Sequence, residues 1–204
     1  MQMPRLYAIA DAEAIANPLG LIGFYAELLK AGVTLIQYRN KSGTAREILS
    51  QAEEMRRTAP ANVRLIMNDR ADLCVAASFD GVHLGQHDLS VAGARMLCKL
   101  PLLVGISTHN PDQVAGSATN PDVDYIALGP VFATKSKSNP EPVIGLEGIR
   151  QARALTKKTL VAIGGITRAN CRQVIEAGAD SVAVISDLLI ESRKAAAEFL
   201  EILS

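Results

Sequence analysis

Eight times along these 204 residues a short apolar run is followed by a segment with helical spacing. That alternation constrains the fold more than any other feature. Short apolar runs of this kind read as parallel strands buried on both faces. A helix between successive runs is the connection that parallel pairing needs. The expected strands are residues 5–10 (ending at Asp11), 33–39, 63–68, 81–85, 102–107, 123–128, 160–163 and 181–185. Their spacing, near ~25 residues, suits a (β/α)8 barrel at the compact end of its range, whereas a flavodoxin-like sheet needs only five such units. The chain is therefore expected to be α/β, a single-domain TIM barrel over residues 1–204 with no linker or second domain.

The intervening segments carry helix signals. Ile22, Tyr25, Leu28 and Leu29 share one face and stop at Gly32. Thr44 is expected to cap a helix bearing Ile48, Ala52 and Met55 that ends before Pro60. A short helix is expected over 70–78 and another over 89–100, starting at Ser90. Asn110-Pro111-Asp112 opens a helix with proline at its first position. Thr167 is expected to cap a helix closing at Gly178, and the last helix to run over 188–203. Residues 129–145 break the pattern. This polar stretch is too long for an ordinary connection, so a functional role is expected.

Composition excludes several classes of function. Twenty-one basic residues balance 21 acidic ones, so no overall field recruits nucleic acid or an anionic membrane. Hydrophobic residues make up 49%, yet no run approaches a membrane span. The opening Met-Gln-Met-Pro-Arg lacks the pattern of a signal peptide. Cys74, Cys98 and Cys171 are odd in number and scattered, which suits a reducing compartment and a cytoplasmic location.

In a barrel, chemistry gathers where the strands end, because only those loops face one mouth. The residues expected there are Gln37, Arg39 and Lys41 after strand two, and Asn68 and Asp69 after strand three. Asp88 lies beyond strand four, Ser107 and His109 end strand five, and Thr134 to Lys137 sit in the long loop. Asp69 and Asp88 stand at adjacent strand ends without a His/Cys cluster. They fit either one hard cation such as Mg²⁺ or two helix N-caps. Arg39 and Lys41 opposite them fit a cation-bridged diphosphate, or rim ion pairs of little worth. Gly164-Gly165 near Ser186 fits a phosphate cradle or a tight turn. His83 and His87 are four apart, but His83 falls in a strand, so a metal pair of helical spacing is not expected.

Taken as a set, these motifs resemble the thiamine-phosphate synthase family. The resemblance rests on Gln37-Tyr38-Arg39-Asn40-Lys41, Met67-Asn68-Asp69-Arg70, residues 81–86 and 105–109, and Tyr125 through Phe132. It continues through residues 143–148 and 162–167 to Asp180 through Ser186, and so covers nearly the whole chain. The resemblance implies a Mg²⁺-dependent transferase that joins a hydroxymethylpyrimidine diphosphate to a thiazole phosphate, releasing pyrophosphate. By position it assigns Gln37, Tyr38, Arg39, Asn40, Lys41, Asn68, Ser107 and Lys137 to the pyrimidine diphosphate. It assigns Thr134, Lys135, Ser136, Gly165, Ile185 and Ser186 to the thiazole phosphate, and Asp69 and Asp88 to one Mg²⁺ per subunit. Arg39, Lys41, Ser107 and Lys137 are the expected catalytic residues. The chain departs from the common family pattern at Ala10, at His87 and at Ala133-Thr134-Lys135-Ser136-Lys137, where Pro-Thr-Thr-Thr-Lys is usual. The family is held to react by departure of diphosphate before the thiazole nitrogen attacks. The rival of the same fold is a thiazole tautomerase-like or regulatory paralogue, and the whole diphosphate and metal set present here argues against it. A phosphate-binding barrel isomerase would need no Mg²⁺. Homo-oligomerisation is left open by the sequence.

Overall fold

The structure is a computed structural model that describes residues 3–15, 20–97, 102–134 and 141–204. Eight parallel strands close into a barrel in chain order: β1 (Leu6–Asp11), β2 (Leu35–Arg39), β3 (Arg64–Asn68), β4 (Gly81–Leu84), β5 (Leu103–Thr108), β6 (Tyr125–Leu128), β7 (Thr159–Ile163) and β8 (Ser181–Val184). β8 returns to pair with β1, Tyr7 lying beside Ala183. Among the described residues, eight α-helices are seen: α1 (Gly20–Lys30), α2 (Ala45–Thr58), α3 (Ala71–Ala76), α4 (Val91–Leu97), α5 (Pro111–Thr119), α6 (Gly145–Leu155), α7 (Cys171–Glu176) and α8 (Ser192–Ile202). The barrel expected from the sequence is the one observed. Among the described residues, no helix is long and apolar enough to cross a membrane.

Side chains alternate along each strand, and this divides the interior in two. Outward residues such as Ala8, Ile36, Leu65, Val82 and Val104 pack with α-helical partners such as Phe24, Met55 and Phe199 in a sheath between barrel and helices. Inward residues, among them Tyr7, Leu35, Ile66, Tyr125 and Val161, form a smaller cluster inside the barrel. Loop chemistry fixes several helix starts. Thr44 Oγ accepts from Glu47 N while the Glu47 side chain accepts from Thr44 N, a complete capping box. Asn110 caps α5 by accepting from Gln113 N, with Pro111 next. Ser90 Oγ accepts from Gly93 N ahead of α4.

Two helix expectations need correction. Thr167 does not cap α7. Its own N–H is held by Asn170 Oδ1, and the helix begins four residues later, at Cys171. The final helix is also interrupted, because a 3-10 turn (Ser186–Leu188) precedes α8. An ion-pair cluster fixes that join: Arg168 holds Asp187 and Glu198 together.

At the end of the barrel where strands begin, one device recurs. The residue just before β4, β6 and β8 is an aspartate: Asp80, Asp124 and Asp180. Each accepts through Oδ2 from a backbone N–H of the preceding strand: Leu65, Val104 and Leu160 at 2.7, 2.7 and 2.8 Å. The same oxygens take an arginine from α2, α4 or α6, namely Arg56, Arg95 and Arg153, at 2.9, 2.6 and 2.8 Å. Each unit thus ties a helix end, a strand start and the next strand together.

Candidate active site

The opposite end of the barrel holds a cavity of about 880 Å³. Its wall divides by strand. The inward, mouthward positions of β2 to β5 supply Gln37, Arg39, Asn68, His83 and Ser107. Those of β1 and β6 to β8 supply Ile9, Ala127, Val161, Ile163 and Ala183, with Ile185 just beyond. One half can bind charge and the other can hold an apolar ring.

Arg39 is oriented by neighbours that sequence reasoning did not anticipate. Its Nη1 donates to Asp11 Oδ2 at 2.7 Å and to Glu13 Oε2 at 3.0 Å. The other guanidinium nitrogens have no protein partner among the described residues, and Arg39 lines the cavity. Lys41 Nζ lies 3.0 Å from Asp69 Oδ2. Asp69 has φ +59°, a left-handed conformation that aspartate and asparagine tolerate better than most residues. Its carboxyl is pushed above the usual carboxylate range, first by burial and then by the Asp88 carboxyl beside it; Lys41 only partly offsets this. Asp88 Oδ2 accepts from Gly85 N at 2.7 Å. Asp69 does not cap α3, which starts after Arg70 without a side-chain cap, and ahead of α4 it is Ser90 Oγ, not Asp88, that accepts from Gly93 N.

Charge around the cavity is unbalanced. Glu13, Asp69, Asp88 and Glu141 line it against Arg39 and Lys41, an excess of two negative charges among the described residues. A divalent cation entering with an anion would offset that excess. Two adjacent carboxylates suit Mg²⁺, which is commonly held by one or two carboxylates with substrate phosphate completing its shell. No group of three or more His, Cys, Asp or Glu converges among the described residues.

On the apolar side, Gly165, Ile185, Ser186 and Thr134 also line the cavity. Gly164 and Gly165 have φ of +98° and +64°, and a Cβ on Gly165 would lie 2.6 Å from Ala133 O. These glycines therefore serve the turn and the close approach of the loop after β6 as well as the cavity wall. α7 starts at Cys171, so its first amides do not follow directly on the Gly164-Gly165 turn. Lys135, Ser136 and Lys137 lie outside the described residues.

Two expected ligands face elsewhere. Tyr38 stands between the inward-facing Gln37 and Arg39, so its side chain points outward, and its hydroxyl donates to Gln51 Oε1 on α2. Asn40 Nδ2 donates to that same hydroxyl and to Gln51, and Asn40 Oδ1 accepts from Gly43 N. Both side chains brace the loop and do not line the cavity. His109, expected at the end of strand five, lines the cavity, its Nδ1 lying 2.7 Å from Gly129 O.

The chain as a whole is similar to proteins already known. The family profile described as "Thiamine monophosphate synthase" matches residues 6–188. A protein of Koribacter versatilis named thiamine-phosphate synthase is 58% identical over all of this chain and 97% of its own. A namesake from Albidiferax ferrireducens is 42% identical over 92% of this chain and 85% of its own. Among solved structures, a thiamine phosphate pyrophosphorylase from Pyrococcus furiosus superposes with a TM-score of 0.86 at 31% identity, covering 98% of this chain and 95% of that one. The chain belongs to the thiamine monophosphate synthase family.

Proposed function

We propose that this protein is a thiamine-phosphate synthase that joins a hydroxymethylpyrimidine diphosphate to a thiazole phosphate, releasing pyrophosphate. The names of its relatives point to that activity. The observation that carries the reading is the divided cavity. Arg39 and Lys41 face Asp69 and Asp88 on the polar side, while Ala127, Val161, Ile163 and Ala183 form an apolar wall across from them. A diphosphate attached to an aromatic ring needs both halves.

Asp69 and Asp88 would hold Mg²⁺, and the ion would supply positive charge to the diphosphate oxygens. Arg39 presents its unspent guanidinium donors to the same group, a fork suited to phosphate. Lys41 adds a point charge. Charge that develops on a departing diphosphate is thus met by donors already in place. Asn68 and Gln37 border the same side, and Lys137 is assigned to the anion on the family resemblance alone. Gly165, Ser186 and Thr134 would receive the thiazole phosphate, and Ile185 would pack against its ring. A neutral thiazole nitrogen is itself the nucleophile, so no general base is demanded. Departure of diphosphate before attack fits such a site.

The test is direct. Purified protein incubated with both substrates should form thiamine phosphate with Mg²⁺ and almost none after chelation. Failure to form it with both substrates and Mg²⁺ present would remove the assignment.

A further inference from the structure

Below the phosphate-facing residues, five polar side chains from five strands touch in a row. Gln37 Nε2 donates to Tyr7 Oη at 2.8 Å. Tyr7 Oη lies 3.0 Å from Tyr125 Oη, and Tyr125 Oη lies 3.0 Å from His83 Nδ1. His83 Nε2 lies 2.9 Å from Ser107 Oγ, at the cavity wall. The His83 ring stacks on Tyr125, centroids 5.5 Å apart. Gly105 makes room for this: a Cβ there would lie 2.0 Å from Tyr125 Cζ.

Each hydroxyl has one proton to give, so where each is given within the row the direction of one bond sets the next. Gln37 spends an amide N–H on Tyr7, and Tyr7 must then give its proton to Tyr125. Tyr125 gives its own to His83 Nδ1. A neutral His83 must carry its proton on Nε2 and donate it to Ser107 Oγ. The Ser107 proton is left to point into the cavity. Burial raises both phenols far above their ordinary range, which keeps them neutral and each in possession of that single proton. The reversed row would need the Gln37 amide turned over, and would present a Ser107 lone pair to the cavity. An anion there selects the first direction.

We propose that Tyr7, Tyr125 and His83 are positioning residues that fix the His83 tautomer and thereby make Ser107 a donor to the departing phosphate oxygen. The inference rests on the activity proposed above, but the tautomer is measurable without it. At the other end, Gln37 Oε1 has no protein partner, and no described buried side-chain polar atom lacks one. That oxygen must therefore open to the cavity that Gln37 lines. It is an acceptor for a ring amine at the moment that Ser107 is a donor for an anion. The row thus matches opposite demands at the two ends of one ligand.

Two measurements test this. Nitrogen-15 spectra of labelled full-length protein, assigned by the signals lost in His83→Asn, should show His83 neutral with the proton on Nε2. This should hold alone and with Mg²⁺ and inorganic pyrophosphate. A proton on Nδ1 in either condition overturns the proposal. Tyr125→Phe should lower kcat about tenfold, the scale seen when a residue that orients another is lost, with little change in either KM. The loss should shrink below about twofold in a Ser107→Ala background, because the two act through one bond. Equal losses in both backgrounds would show that Tyr125 acts on the fold alone and would overturn the relay. If wild-type protein makes no thiamine phosphate at all, the activity assignment fails, while the tautomer measurement still decides the direction of the row.

Discussion

The two ends of the barrel are built by opposite rules. Where the strands begin, three aspartates do the same thing three times, each gripping a backbone N–H and an arginine within 2.6–2.9 Å. Where the strands end, no two neighbours repeat: β2 offers Gln37 and Arg39, β3 Asn68, β4 His83 and β5 Ser107. Repetition suits closure of a barrel, which poses the same problem at every second strand. Variety suits a mouth that must meet a ligand with distinct ends. The energetics differ as well. The charges at the lower end are largely satisfied by one another. In the mouth, carboxylates outnumber bases among the described residues and the Asp69 carboxyl is raised by its surroundings, a site organised for a ligand at some expense of stability.

The comparison breaks most sharply at Asp69. Asp69→Asn keeps the side-chain shape and tolerates φ +59° but removes the charge that would grip a cation. Product formation should fall by at least about a hundredfold, as for loss of a principal electrostatic group. The stability sign is opposite to that of a paired carboxylate. A carboxyl whose folded-state pKa is raised stabilises the fold less once ionised, and stability is lost as pH rises through that pKa. Neutral asparagine should therefore leave the melting temperature at pH 7 unchanged or higher. A large drop in melting temperature would make Asp69 a structural residue and erase the contrast. Next in size are Asp80→Ala, Asp124→Ala and Asp180→Ala. The aspartates are exposed at 38%, 37% and 48% in their side chains, so their arginine pairs are largely screened. The bond to the backbone N–H should dominate, and each change should cost about 1–3 kcal/mol in urea unfolding. The three values should agree closely, with kcat within twofold of wild type. Divergent values, or a kcat effect at the lower end, would show that the two ends are coupled.

Much of this contrast is legible in the sequence. Eight apolar runs at regular spacing specify the barrel, and polar residues at their ends specify the mouth, because strand period and strand end are local properties. The pairing of Arg39 with Asp11 and Glu13 was not legible, since it depends on β1 and β2 lying side by side in register. The row from Gln37 to Ser107 needs five strands converging on one axis. The aspartate device was within reach: Asp immediately before three strands, each with an arginine near the end of a helix that precedes it, is a visible pattern in hindsight. Thr167 misled because a threonine after a Gly-Gly turn resembles a cap, whereas Asn170 takes over that turn by bonding Thr167 N and Gly165 O. The register of β1 with β2 also sizes a third variant. Arg39→Lys keeps the charge but loses the fork that can hold Asp11, Glu13 and an anion together. KM for the pyrimidine diphosphate should rise about tenfold, with the melting temperature nearly unchanged. An unchanged KM would move the diphosphate away from β2.

The smallest effect sharpens the boundary between mouth and sheath. Family position assigns Tyr38 to the diphosphate, but two residues of one strand that are adjacent in sequence cannot face the same side. Gln37 and Arg39 both face the cavity, so Tyr38 must face α2, where its hydroxyl meets Gln51 and Asn40. Tyr38→Phe keeps the buried ring and removes only those bonds. Its cost should be about 1 kcal/mol of stability, the net worth of an ordinary hydrogen bond, read as a small shift in the urea midpoint. Steady-state constants for both substrates should stay within twofold, because nothing lining the cavity changes. A selective rise in pyrimidine diphosphate KM, without loss of stability, would place the Tyr38 hydroxyl in the mouth. The strand alternation used to divide the barrel's polar interior from its sheath would then be wrong at the position where it makes its most specific claim.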